Sequence, residues 1–265
     1  YEIGGYYQQP TNFMRIHESL LQERSIKYAN LQPMFKVLDI LSETPWRINQ
    51  KVFEVVEALW EEGGGIAEIP NRHYNFRDYV YGYQLSEARN ERERMKLMKK
   101  IQEQRDVHSL RCDFSLKLAV AKSFKDMGRI YFPHNIDFRG RTYPIPPHLN
   151  HMGADLSRGL LEFAEGKPIG PTGIRWLKIH TANKMGQDKL SIEDRINYVE
   201  TMMPLIRKCV EDPLKNREWA SFEDAWQTLA SMFELVAVLE SKNPEQYISH
   251  IHIHQDGSCN GLQHY

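Results

Sequence analysis

Apolar side chains along this chain recur mainly at helical spacing. Ile48, Val52, Val55, Val56 and Leu59 fall at i, i+4, i+7, i+8 and i+11, one face of an amphipathic helix starting near Trp46. Gly63-Gly64-Gly65 then stops it. Upstream, dispersed apolar residues from Asn12 to Leu41 are interrupted at Pro33 and predict two helices. Downstream, a long charged helical region runs from Ser86 to about Lys125, and its second half sets Leu110, Phe114, Leu118, Ala121 and Phe124 on one face. Further helices are expected from Leu156 to Ala164, closed by Gly166, and from Thr172 to Lys184 behind Pro171. Two Ser-x-x-Asp boxes, Ser191 with Asp194 and Ser221 with Asp224, open two more. The last carries Phe222, Trp226, Leu229, Phe233 and Val236, a stripe expected to be core.

Two stretches break this period. Ile130-Tyr131-Phe132 is a short β-prone run ending at Pro133, and Tyr247 to Asp256 alternates strictly between apolar and polar residues. The tract from Ile69 to Tyr83 has no assignable period. The fold class is therefore α+β, mostly helical, with one strand delivering a carboxylate to its own end.

Composition narrows the class without naming a function. A length of 265 residues suggests one to two domains at roughly 150 residues each. No apolar run approaches the roughly 18 residues of a membrane span. Cys112, Cys209 and Cys259 are odd in number and widely spaced, which argues against a disulfide framework or a thiolate zinc site. The first residues lack an initiator Met and a signal peptide's features, so an internal segment of a longer protein is expected. The net charge of −1 speaks against nucleic acid only as a total. Residues 87–142 carry +6 and the rest −7, a segregation that suits either a solvated helix face or a basic contact surface.

Three places can carry chemistry. If 247–256 is a strand, His250, His252, His254 and Asp256 share one face at about 7 Å intervals. That face suits a zinc-dependent hydrolase, or the isoleucines face the core and the histidines line a wet groove. Asp256 precedes Gly257-Ser258-Cys259-Asn260-Gly261. A hard carboxylate beside exposed backbone suits magnesium, and an Asp-capped turn fits equally. In Asp137-Phe138-Arg139-Gly140-Arg141-Thr142-Tyr143-Pro144, two arginine forks flank a glycine, matching a phosphate chain, with Tyr143 as an aromatic platform. A structural Asp137–arginine ion pair fits the same residues. Lys189, after a helix end at Gly186-Gln187-Asp188, reads on its own as a solvated cation.

Together these motifs resemble a family. Asp137-Phe138-Arg139-Gly140-Arg141, Ser157 to Gly170, Trp176-Leu177-Lys178-Ile179-His180 and Asp256 to Tyr265 are similar, in order, to the single-subunit, bacteriophage-type RNA polymerases, with wording nearest their mitochondrial branch. Thr44-Pro45-Trp46-Arg47-Ile48-Asn49 resembles the opening of that family's thumb. The resemblance implies a right-hand polymerase fold: the end of an N-terminal domain at 1–44, a helical thumb at 45–126, and the first half of the palm at 127–265. It implies DNA-directed addition of ribonucleotides to an RNA 3′ end, with two Mg²⁺ ions, a DNA template, an RNA transcript, ribonucleoside triphosphates and initiation factors as partners, in the mitochondrion. By the same resemblance Asp256 is the first catalytic, metal-binding aspartate, joined by the Gly257 carbonyl. Arg139 and Arg141 match the element that touches template and hybrid, Tyr143 beside them being the aromatic nucleic-acid-binding candidate read from its own chemistry, and Lys189 matches a lysine that reaches the incoming triphosphate. Two features depart from the pattern. Histidines stand at 250, 252 and 254 where much of the family has apolar or small residues. The His-Asp-Asp element and the fingers helix, downstream in the family, are not in this sequence, so half an active site is expected.

Overall fold

The computed structural model describes residues 11–16, 19–72 and 90–254. Its main core is built from three helices, α6 (Gly173–Lys184), α7 (Ile192–Glu211) and α8 (Ala225–Glu240), packed on one another and on the shorter α5 (Asp155–Gly159). Helix α8 is apolar nearly all round, so it runs through the middle: Trp226, Leu229, Met232, Leu235 and Val238 are fully buried. The expected stripe holds, with Phe233 and Val236 buried and Phe222 packed against the same core. Gly159 lets α5 approach: a Cβ there would sit 2.7 Å from Trp226 Cβ.

The caps separate what neighbouring residues decide from what distant ones supply. Ser191 caps α7 as expected, its Oγ accepting from the Asp194 N–H. The Ser221 box does not form. Asp224 lies at the N-cap of α8 without a side-chain bond to the helix and pairs instead with Lys184 at 2.9 Å. The Asp155 carboxylate caps α8 from across the core, accepting from the N–H groups of Trp226 (2.7 Å) and Gln227 (3.1 Å).

The other elements wrap this core. Helix α3 (Gln50–Glu61) starts at an Asn49 cap and buries Val52, Phe53, Val55, Val56 and Leu59. Ile48 was expected on that helical face but belongs to β2 (Trp46–Ile48). Strand β2 pairs antiparallel with β5 (Leu161–Phe163), Trp46 opposite Phe163 and Ile48 opposite Leu161. This pairing overturns the helix expected from Leu156 to Ala164: α5 is one short turn, and the chain then extends to meet a partner more than a hundred residues upstream. Helix α4 (Glu91–Phe124) is long, but only Gln104, Phe114 and Ala121 are buried along it, and Leu110 and Phe124 face solvent.

A second, smaller core of Met14, Leu38 and Ile136 joins β1 (Met14–Arg15), α2 (Gln32–Ser42) and β3 (His134–Asp137). Residues 14 and 15 are therefore strand, where helix was expected from Asn12. The two predicted helices are α1 (Leu20–Tyr28) and α2, and Pro33 lies in the first turn of α2. Strand β3 pairs in parallel with β1 and antiparallel with β4 (Thr142–Pro144). The strand expected at 130–132 thus lies beyond Pro133, and only Ile130 bridges, to Trp46. The last pair is β6 (Lys167–Pro168) with β7 (Ile248–Ser249). Among the described residues no helix is long and apolar enough to cross a membrane.

Candidate functional site

The arginine turn joins β3 to β4. The Gly140 N–H donates to the Asp137 carbonyl at 3.0 Å, and Gly140 takes φ +86°, a conformation that favours glycine. The Asp137 carboxylate, buried beneath the turn, organises everything around it. Its Oδ1 accepts from the N–H groups of Arg139 (2.9 Å) and Arg141 (3.0 Å), and its Oδ2 from Arg139 Nη2 (2.9 Å), Arg139 Nε (3.1 Å) and Tyr143 OH (3.4 Å). Burial works against the charged carboxylate, but the Arg141 amide and the Arg139 guanidinium and amide outweigh it, holding Asp137 below its ordinary range. The structural ion pair and the phosphate-facing fork are thus the same object: Arg139 is tethered to Asp137 yet its side chain stays 57% exposed.

Arg141 differs from its neighbour. It is exposed, and its guanidinium has no partner among the described residues. A third cation arrives that sequence reasoning missed. The parallel register sets Arg15 opposite Asp137, and the Arg15 guanidinium lies 4.4 Å from the centre of the Tyr143 ring while its Nε donates to Asn135 Oδ1 at 2.8 Å. One face of Tyr143 is therefore already covered. The edge presents three guanidinium groups around one buried carboxylate, an arrangement suited to the sugar-phosphate backbone of a nucleic acid. No local signal linked Arg15 to this edge, because the two segments lie some 120 residues apart.

Lys189 sits elsewhere, in the loop between α6 and α7. The end of α6 is closed by Gly186 N–H to Asn183 O and Gln187 N–H to Ala182 O, with Gly186 at φ +82°. Lys189 is 90% exposed and its Nζ lies 2.8 Å from Asp188 Oδ2. That contact lowers the Asp188 pKa and raises that of Lys189. No hydrogen bond or ion pair joins this lysine to the arginine turn among the described residues.

The histidines correct the sequence reading. Among the described residues of the run expected to be strand at 247–256, β7 covers Ile248–Ser249, and residues 251–254 are not strand. His250 packs on Gly166, where a Cβ would lie 2.8 Å from its ring, and its Nδ1 is 2.8 Å from the Phe163 carbonyl oxygen. Ile251 packs against the main core as one reading expected, but Ile253 is 57% exposed and His252 is buried, so the histidines do not line one wet face. His252 meets Trp46 and His254 edge-on, and His151 stacks on Trp46 at 4.8 Å. Burial, reinforced by neighbouring histidines at His151 and His252 and by Arg158 and Lys184 at His254, pushes His252 down to about 3 and His151 and His254 down to about 4, so all three are neutral at pH 7. Among the described residues no group of three or more His, Cys, Asp or Glu is arranged to hold a metal. Asp256 and Gly257 lie outside the described residues.

Comparison with known proteins decides between the readings. The sequence pattern of the DNA-dependent RNA polymerase family matches residues 167–265. The whole chain aligns at 45% identity over 275 residues with DNA-directed RNA polymerase 2, chloroplastic/mitochondrial, of Nicotiana sylvestris, covering 26% of that protein. It aligns at 43% over 272 residues with DNA-directed RNA polymerase, mitochondrial, of Neurospora crassa, covering 19% of it. Residues 167–265 carry the DNA-dependent RNA polymerase pattern, and the chain spans about a quarter of the length of the polymerases it resembles. A further polymerase relative, DNA-directed RNA polymerase 2, chloroplastic/mitochondrial, of Arabidopsis thaliana, is 44% identical over 277 residues. The chain spans 27% of that relative's length. The zinc-hydrolase alternative finds no support: its histidines are dispersed into a buried aromatic cluster, and the relatives are polymerases.

Proposed function

We propose that this chain forms the thumb and the first half of the palm of an RNA polymerase that adds ribonucleotides to an RNA 3′ end on a DNA template. In this reading residues 1–44 close the N-terminal domain, 45–126 are the thumb and 127–265 begin the palm. The observation that carries it is the arginine turn, where one buried carboxylate fixes the backbone of Arg139 and Arg141 and leaves cationic groups facing outward. Such an edge meets phosphates without further ordering. Arg139 and Arg141 contact template and hybrid, Tyr143 supplies an aromatic edge beside them, and Lys189 meets the triphosphate of the incoming nucleotide.

Asp256 is the proposed catalytic carboxylate, with the Gly257 carbonyl beside it as a second oxygen ligand. Bound magnesium at that position supplies charge stabilisation for phosphoryl transfer. The proposed compartment is the mitochondrion, on the wording of the motifs, although the relatives' names include chloroplastic enzymes as well. DNA, RNA, ribonucleoside triphosphates and initiation factors complete the proposed partners.

The deciding experiment is Asp256→Asn in the full-length polymerase. Nucleotide addition should be lost while binding to a primed template stays near the parent value. Retained addition would remove Asp256 from the catalytic centre.

A further inference from the structure

We propose that Arg195 is the positioning residue for Lys189, fixing where that lysine meets the nucleotide triphosphate; the inference rests on Lys189 gripping the triphosphate. Arg195 lies in the first turn of α7 and is half-buried. Its guanidinium donates to three acceptors at once: Nη2 to the Asp188 carbonyl (2.7 Å), Nε to the Leu190 carbonyl (2.9 Å) and Nη1 to Asn183 Oδ1 (3.0 Å). The two carbonyls belong to the residues on either side of Lys189. The third acceptor lies in the last turn of α6. One planar fork therefore pins the chain on both flanks of the lysine and ties it to both helices.

The chemistry of the clamp is specific to arginine. Its five N–H donors lie in a fixed plane, whereas an ammonium is a point charge on a flexible stem. Arg195 has no carboxylate partner among the described residues, so its donors serve neutral backbone and amide oxygens. Lys189, by contrast, pairs among the described residues only with the adjacent Asp188 and projects into solvent. A clamped backbone under an exposed lysine, paired only locally with Asp188, is the geometry of a cation kept ready for an anionic ligand.

The test uses full-length polymerase and steady-state nucleotide addition, with Lys189→Ala, Arg195→Lys, Arg195→Gln and the Lys189→Ala/Arg195→Gln double variant. Lys189→Ala should raise KM for the nucleoside triphosphate by roughly tenfold, the size of a lost charge-assisted contact. Arg195→Gln and Arg195→Lys should raise the same KM several-fold with kcat little changed, which marks lost binding rather than lost chemistry. The double variant should be no worse than Lys189→Ala, because the two residues act through one contact. Hydrogen exchange of the 187–190 amides should speed up in Arg195→Gln, and melting curves identify any variant that is merely unfolded. If Lys189→Ala raises KM but both folded Arg195 variants keep the parent KM, or if the two effects multiply in the double variant, the positioning role is overturned. If Lys189→Ala itself leaves KM unchanged, the reading of Lys189 fails, and the exchange data alone then show whether the clamp exists.

Discussion

The turn at 137–143 gathers backbone N–H groups onto a buried carboxylate, whereas the loop at 186–190 offers backbone carbonyls to a half-buried guanidinium. Both devices do the same work, replacing the missing hydrogen-bond partners of irregular backbone with one charged side chain. Their polarity has different consequences. At 137–143 the organising charge is opposite in sign to the exposed cations, so it also captures one of them, Arg139, and leaves Arg141 as the freer group. At 186–190 the organising charge has the same sign as Lys189 and does not capture it, so the lysine pairs with the neighbouring Asp188 and its side chain stays 90% exposed. The two turns also stand on different foundations: the first on the small core of Met14, Leu38 and Ile136, the second on the packing of α6, α7 and α8.

That difference in foundation can be broken by mutation. Trp226→Ala removes a fully buried indole from the main core and should cost about 3–5 kcal/mol in urea unfolding. It should also loosen the 186–190 loop, because Thr228, half a turn along α8, donates its hydroxyl to the Lys184 carbonyl at the end of α6. Amide exchange should rise at 186–190 and stay unchanged at 137–141. Equal acceleration at both would mean that the two turns share one foundation after all.

Acid separates both turns from the buried histidines. His252, His151 and His254 have folded-state pKa values near 3 to 4, below the ordinary 6.5, so the unfolded chain takes up protons first as pH falls. Their contribution is complete above pH 6.5 and drains away as pH falls toward 4. Asp137 and Asp188 are also depressed, but from 3.8, so their contributions survive this window and are lost only at lower pH. The melting temperature should therefore fall between pH 6.5 and 4 while exchange at 139–141 stays protected. A flat melting profile in that window would show that the histidines are not held neutral by burial.

The smallest effect concerns the two arginines. On the proposed nucleic-acid reading, Arg141→Ala in the full-length protein should flatten the log–log salt slope of hybrid binding by roughly 0.7 to 0.9, the value of one phosphate contact. Arg139→Ala should flatten it less, because Asp137 already neutralises part of that charge. Equal changes would mean that the tether opens on binding.

Much of this was legible locally. The amphipathic face of α3, the Ser191 cap, the α8 core stripe and the Asp137–Tyr143 cluster each depend on residues within a few positions of one another. The failures have a common cause. Leu156 to Ala164 reads as helix until β2 offers a hydrogen-bonding partner from residues 46–48. Ser221 and Asp224 read as a cap until Asp155 supplies one from across the core and Lys184 takes Asp224. The alternating His-Ile run reads as a strand, yet among the described residues its ladder is Ile248–Ser249 against Lys167–Pro168, flanked by single backbone bonds from Ile169 to Tyr247 and from Phe163 to His250.

The sequence by itself determined the helical majority of the fold, the position of the arginine turn and, through its motifs, the polymerase family. Those rest on short-range spacing and on residue chemistry that needs no distant partner. Tertiary structure alone decided that Arg15 joins the arginine edge, that His252 turns inward to Trp46, and that Arg195 clamps the loop bearing Lys189. Which distant segment fills a given hydrogen bond or covers a given ring depends on how the whole chain packs, and no local pattern carries that information.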